Sequence, residues 1–284
     1  MLAFAALFSA IAGPSDVPVS YEIHNTSQLP MVMGLVDAKA HKLARIGGFQ
    51  SKIVTDCAPD RFKKDFVMSA LCTIEEFELQ VAGPDAELGT RIADEITEDL
   101  IGRDVELRFD KKGSLRSVSL AFRDGEPDYR PSSSALAICG DSFYATTSTH
   151  ASVDFLLAQT FAALDLSVPA SATTWESRSD RTLLPPTGMN PMGRGSTDYQ
   201  AERVDAGQQL SYSGFGKFYL AGTATEMHAV VESQGTAVVS DDGRILSRQH
   251  MVEGDLQRAD VGSQAFQSSW TVQAVVDSQA VASQ

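Results

Sequence analysis

RDVELRFDKKGSLRSVSLAF, residues 103–122, and GTAVVSDDGRILSRQHMVEG, residues 235–254, share one pattern. Each has a short alternating run, a tight polar turn closed by a glycine (Gly113, Gly243), and a second run with an aliphatic residue two positions after that glycine (Leu115, Ile245). Side chains of a strand alternate between faces, so two such runs around a glycine-closed turn read as a β-hairpin. Two hairpins of one kind, about 130 residues apart, predict a duplicated β-rich body.

Strand patterns extend outward from both. Residues 198–204, 208–220, 226–240, 244–253 and 268–277 follow one another as strands, and in the last Trp270, Val272, Ala274 and Val276 alternate with polar residues. In the first half, Val17 to Ile23 alternates, residues 49–56 look extended, and 73–82 place Phe77, Leu79 and Val81 on one side. Leu88, Ile92, Ile96 and Leu100 predict an amphipathic helix over 86–101, stopped by Gly102. Val153, Leu157, Phe161 and Leu164 predict a second over 153–166, stopped by Pro169. Two further segments are less regular. Val32, Val36, Ala40 and Leu43 before Gly47-Gly48 predict a helix over 30–46, although LPMVMGLV also suits a strand. Pro59 leading Phe62, Phe66 and Ala70 predicts a helix over 59–71. Residues 123–149 read as a connection and 185–198 as a Pro/Gly/Met loop.

An amphipathic helix and a half-buried sheet each need a covering layer, and pairing them meets both needs. The expected fold class is therefore α+β: two related halves of curved antiparallel sheet, each covered by an amphipathic helix. Its boundaries are a signal peptide at 1–12, an N-terminal α+β half at 13–130, a linker at 131–152, and a C-terminal β-rich half with one helix at 153–284.

The signal is read from MLAFAALFSAIA, which has no charged side chain and ends in an A-x-A site before Gly13-Pro14. It is shorter than the roughly 20 apolar residues a spanning helix takes. Periplasmic or secreted location is the expectation. Cys57 and Cys72 can close a short loop in an oxidising compartment, leaving Cys139 over; three buried thiols are the alternative. With 43% apolar residues and a formal net charge of −14, the chain is a folded protein that repels phosphate backbones, so nucleic acid is excluded as a partner.

No catalytic or metal signature emerges. The five histidines are scattered, no H-E-x-x-H, C-x-x-C or G-x-S-x-G occurs, and Asp241-Asp242-Gly243 lacks the alternating oxygen ligands of a calcium loop. Gly214-Phe215-Gly216-Lys217 lacks the spacing of a phosphate loop. Cys139, with Asp141, Ser142 and His150 downstream, is the single nucleophile candidate, weighed against a cysteine that closes a buried apolar run. The expectation is no enzyme activity, no cofactor and no metal.

GRDVELRFDKKGSLRSVS (102–119), FLLAQTFAALDLSVP (155–169), Trp175 and DDGRILSR (241–248) together resemble a family of exported bacterial proteins of unknown function with a tandem β-rich, half-barrel architecture. The resemblance covers about 85–260 and implies export and an open half-barrel shape; it transfers no catalytic residue. A half-barrel with a helical cover leaves an elongated apolar cavity. The expected function is a non-enzymatic exported binding protein for an apolar small molecule, lipid or lipidated partner. Its candidate cavity residues are Phe155, Leu156, Phe161, Phe215, Phe218 and Tyr219, with Met189 and Met192 as a flexible lid. The alternative is a structural or assembly component of the cell envelope with envelope-protein partners, in which the same sheet packs solid.

Overall fold

The structure, a computed structural model, describes residues 18–28, 31–37, 40–63, 67–109, 115–121, 137–138, 145–146, 153, 156–157, 159–166, 173–179, 191–220, 227–258 and 262–275. The first-half strands are β1 (Val19–Ser27), β2 (Met31–Asp37), β3 (Ala40–Ile46), β4 (Gly48–Lys63), β5 (Val67–Ala82), β6 (Asp104–Phe109) and β7 (Leu115–Leu120), with helix α1 (Ala86–Leu100) after β5. Two short strands follow, β8 (Ala137–Ile138) and β9 (Ala145–Thr146). The second half holds β10 (Thr174–Ser179), β11 (Pro191–Val204), β12 (Gly207–Leu220), β13 (Met227–Val239), β14 (Ile245–Arg258) and β15 (Gly262–Val275).

Eleven strands form one antiparallel sheet in the order β10-β11-β12-β13-β14-β15-β1-β4-β5-β6-β7. The expected α+β fold in two separately covered halves is therefore corrected to a nearly all-β fold dominated by one eleven-stranded sheet. β1 is the reason. It pairs along its length with β15 on one edge and with β4 on the other. Two separate sheets would leave four edges of unpaired N–H and C=O groups, and inserting β1 between the blocks removes two of them.

Both hairpins quoted above are present, as β6–β7 and β13–β14. In the second, Ser240 N–H donates to Arg244 O at 2.9 Å and Gly243 N–H to Ser240 O at 2.9 Å. Gly243 has φ 87°, a left-handed conformation that glycine takes without steric cost. Arg203 grips Asp241 of this turn through both guanidinium nitrogens, at 2.6 and 2.8 Å.

The two irregular segments are strands as well. Within 30–46, β2 and β3 pair antiparallel and belong to a second, four-stranded sheet of order β3-β2-β9-β8. The described residues of 59–71 are strand rather than helix: β4 and β5 pair there in antiparallel register, from Pro59↔Ala70 to Lys63↔Val67. β1 reaches β4 only as far as Cys57, so Pro59 lies where β4 has β5 alone beside it and its missing N–H is tolerated. Helix α1 does form as predicted. It buries Gly89, Ile92, Ala93, Ile96 and Leu100, packs on β5 and β3, and is followed by Gly102 at φ 74°. Asp85 ties its start to β3 by accepting from Arg45 N–H and Nε, both at 3.0 Å.

Cys57 and Cys72 face each other across β4 and β5 and are joined as a disulfide. Closing a loop of 15 residues removes unfolded-state entropy worth about 3 kcal/mol. The C57S/C72S double variant is expected to lose about that much, measured as a denaturant midpoint shift that reducing agent reproduces in the wild type only.

Candidate functional site

The strand registers align one line of residues straight across the inner, buried face of the sheet. It runs Trp175, Tyr199, Tyr212, Gly235, His250, Trp270, Asn25, Ser51 and Leu79, each opposite the next on the neighbouring strand. Directly opposed side chains are the closest packing partners a sheet offers. Trp175 and Tyr199 stack with centroids 4.9 Å apart, and Tyr199–Tyr212, Tyr212–His250 and His250–Trp270 follow at 5.2, 5.6 and 5.3 Å. Gly235 keeps the line of rings unbroken. A Cβ there would lie 2.4 Å from the Tyr212 hydroxyl, so the Tyr212 ring occupies the space a side chain would need.

The neighbouring lines differ in kind. Toward the β13–β14 turn, Ala201, Leu210, Ala237, Arg248, Val272, Ile23, Ile53 and Phe77 are aligned, apolar except for Arg248. On the other side, Thr197, Gly214, Ser233, Val252, Ser268, Ser27 and Phe49 are aligned, mostly small and polar, with Ser27 and Ser268 hydroxyls 2.9 Å apart.

A helical segment covers the middle line. Val153, Leu156, Leu157 and residues 159–161 are helical, and a 3₁₀ turn follows at Ala162–Leu164. Trp270 Nε1 donates to Gln159 O at 2.6 Å, the Ser51 and Thr160 hydroxyls meet at 3.2 Å, and Arg248 Nη1 donates to Ala163 O at 2.7 Å and Asp165 O at 2.8 Å. A cation at the C-terminal carbonyls of a helical segment is favoured by its dipole. Arg248 also donates through Nε to the Tyr212 hydroxyl at 2.8 Å and lies 5.5 Å from that ring's centre. Burial works against its charge, but Tyr212 together with Tyr199 and Asp165 outweighs this and raises its pKa.

Burial, and then the Arg248 charge, hold the His250 pKa well below the ordinary histidine value. Burial likewise pushes the Tyr199 phenol up. Among the described residues, several buried polar atoms of this face have no hydrogen-bond partner: both amide atoms of Asn25, Gln159 Oε1, His250 Nδ1 and Trp175 Nε1. Among the described residues, no three histidine, cysteine or acidic side chains are grouped to hold a metal.

Of the residues expected to line a cavity, Leu156 and Phe161 lie together in the cover, with no exposed surface. Phe215 is on the opposite, outer face, 47% exposed, where it lines a shallow groove with Ser196, Asp198, Ser213, Glu232 and Met251. Met192 on β11 is aligned with Tyr219 on β12, and Phe218 with Gly193. Phe155, Met189, Cys139, His150 and residues 1–12 lie outside the described residues. Sequence reading missed Tyr199, Tyr212, Gly235, Arg248 and His250. The two-residue turn at Asp205-Ala206 contained the signal, since counting back from it aligns Tyr199 with Tyr212.

No family model matches the chain, and no curated protein matches it. Among solved structures it is similar to lipovitellin, from a structure of that protein's lipid–protein interactions, with TM-score 0.45 and 8% identity over 91% of this chain. The chain spans 25% of the length of the lipovitellin chain. An outer-membrane channel from Pseudomonas putida F1 aligns with TM-score 0.28 and 8% identity, covering 97% of this chain and 100% of the channel. A DUF3598-family protein of unknown function from Nostoc punctiforme aligns with TM-score 0.13 and 8% identity, over 90% of this chain and 96% of its own. These scores are too low to assign a function.

Two outcomes follow from the ring line. Gly235→Ala brings a methyl group within 2.4 Å of the Tyr212 hydroxyl and 2.5 Å of Gln249 O, and a backbone atom cannot swing aside. Destabilisation of about 1–3 kcal/mol is expected in urea unfolding. His250 stays neutral in the folded state, whereas in the unfolded chain it takes a proton near pH 6.5. Below that pH the unfolded state binds more protons, so stability falls as pH falls, by up to about 1.4 kcal/mol per unit from this group. Between pH 7 and pH 5, His250→Gln is expected to lose less stability than the wild type, measured from denaturant midpoints at each pH.

Proposed function

We propose that this chain is a non-enzymatic binding protein that holds an amphiphile, an acyl lipid or a lipidated partner, against the inner face of its sheet. The gradation of that face supports the reading. Along the strand direction a line that is apolar except for Arg248 (Leu210, Ala237, Val272, Ile23, Ile53) gives way to the aromatic line and then to a line rich in small polar residues (Ser233, Ser268, Ser27), beyond which apolar Val231 and Phe266 follow. Polar residues set within an otherwise apolar buried face match a molecule with an apolar tail and a polar end. Among the described residues the sheet is also open: β10 pairs with β11 alone and β7 with β6 alone.

An exported setting agrees with this reading, since the Cys57–Cys72 disulfide suits an oxidising compartment. The complete burial of Leu156, Leu157, Phe161 and Leu166 in the cover favours the second reading, an envelope assembly component whose sheet is packed solid.

Native mass spectrometry of gently purified protein, with solvent extraction of a parallel sample, tests the proposal. The expected result is a mass increment that disappears on extraction and an acyl compound in the extract. Protein that is ligand-free, takes up no acyl probe and retains envelope proteins through purification supports the assembly role instead.

A further inference from the structure

Three side chains carrying polar atoms with no partner among the described residues surround Trp270. Asn25 is aligned with it on β1, His250 is aligned with it on β14, and Gln159 lies above it, its backbone oxygen accepting from the indole N–H. All three are more than nine-tenths buried, at 1%, 6% and 1% exposure. Leaving a buried donor or acceptor unpaired is costly, because it has given up its hydrogen bonds to water. Asn25 has both its amide donor and its carbonyl unpaired, Gln159 its Oε1 and His250 its Nδ1. His250 makes a hydrogen bond to the Gln234 backbone, and since Nδ1 is unpartnered this bond belongs to Nε2. The neutral ring therefore keeps an acceptor lone pair on Nδ1.

These open positions comprise three acceptors and one donor group. A carboxylate head would set its lone pairs against three others. An ammonium head would sit near the buried Arg248 charge, which already weighs on His250. A hydroxylated neutral group supplies several O–H donors and accepts from Asn25 Nδ2. We propose that Asn25, Gln159 and His250 form the polar end of the ligand site and select a neutral hydroxyl-bearing group, such as the glycerol of a monoacylglycerol. This rests on the amphiphile reading above and names its head group. The line next to the Trp270 line, apolar except for Arg248, receives the chain.

The test uses the full protein with Trp175→Phe, which leaves Trp270 as the single tryptophan of the two in the chain and its emission as the reporter. Monooleoylglycerol, oleic acid, methyl oleate and free glycerol are titrated separately, with and without Asn25→Leu. Monooleoylglycerol is expected to bind about tenfold or more tighter than methyl oleate or oleic acid. Asn25→Leu is expected to erase that preference, keep methyl oleate binding, and unfold at the same or higher denaturant concentration, because an apolar side chain replaces unpaired polar atoms. Equal binding of the three acyl probes, a preference that survives Asn25→Leu, or a clearly less stable Asn25→Leu protein overturns the head-group site while leaving an acyl-binding function standing. That last result means the amide serves the fold through ordered water. A glycerol response abolished by Asn25→Leu, with all acyl probes inert, keeps the hydroxyl site and removes the amphiphile function. No response to any of the four probes overturns both.

Discussion

Backbone pairing of β1 on both of its edges is the constraint on which the rest of the structure depends. A strand of nine residues brings together two blocks that are far apart in the sequence, β10–β15 and β4–β7. Its alternation decides the inner face of both, because Tyr21, Ile23, Asn25 and Ser27 are buried while the residues between them are not. A slip of one residue in β1 would turn its outward residues, Glu22 and His24 among them, to the inside and break the alignment of Asn25 with Trp270 and Ser51. The lateral lines of residues run on from β10–β15 into β4 and β5 only because this seam holds one register.

The cover over the middle line is fixed by polar contacts more than the apolar periodicity of its sequence implies. Its buried leucines and Phe161 supply area, but area alone does not fix one orientation. The indole of Trp270, the hydroxyl of Ser51 and the guanidinium of Arg248 each reach a defined atom of residues 159–165. Arg248 also joins the cover to the ring line through Tyr212. An arginine buried with a phenol and two backbone carbonyls directs three of its donors at oriented dipoles at short range, which is how a charge is tolerated in such a place.

Much of this was legible in the sequence, and what escaped did so for identifiable reasons. The hairpins at 103–122 and 235–254, the long strands of the second half and helix α1 all follow from local period and turn chemistry. The single sheet did not, because nothing local in VSYEIHNTS says that the strand has two partners rather than one. Residues 59–71 misled because Phe62, Phe66 and Ala70 satisfy a helical spacing inside a segment whose pairing is set by β5 and the Cys57–Cys72 link. Of the site, the aromatic content of the second half was visible. The lateral alignment was not, because it depends on cumulative register across β10–β15. Leu156 and Phe161 were picked out for their apolarity and lie in the cover. Phe215 was picked for the same reason and faces outward, since apolarity does not report which face a strand residue takes.

The polar residues of the inner face bear most directly on function. An antiparallel sheet covered on one face is most stable when that face is aliphatic, and the line through Ile23 and Ile53 shows that this chain builds such a line. One strand step away, Asn25, His250 and Trp270 replace aliphatic residues, and two of the three have unpaired polar atoms in a buried setting. Substituting apolar residues of similar shape at such positions is neutral or stabilising on general grounds, so fold stability alone does not explain their presence. Gly235 points the same way. It weakens its own strand, and the space it leaves is filled by Tyr212, whose hydroxyl orients Arg248. The middle of the inner face is thus organised at some expense in stability around a line of rings and unpaired amides, and that expense is concentrated beside Trp270.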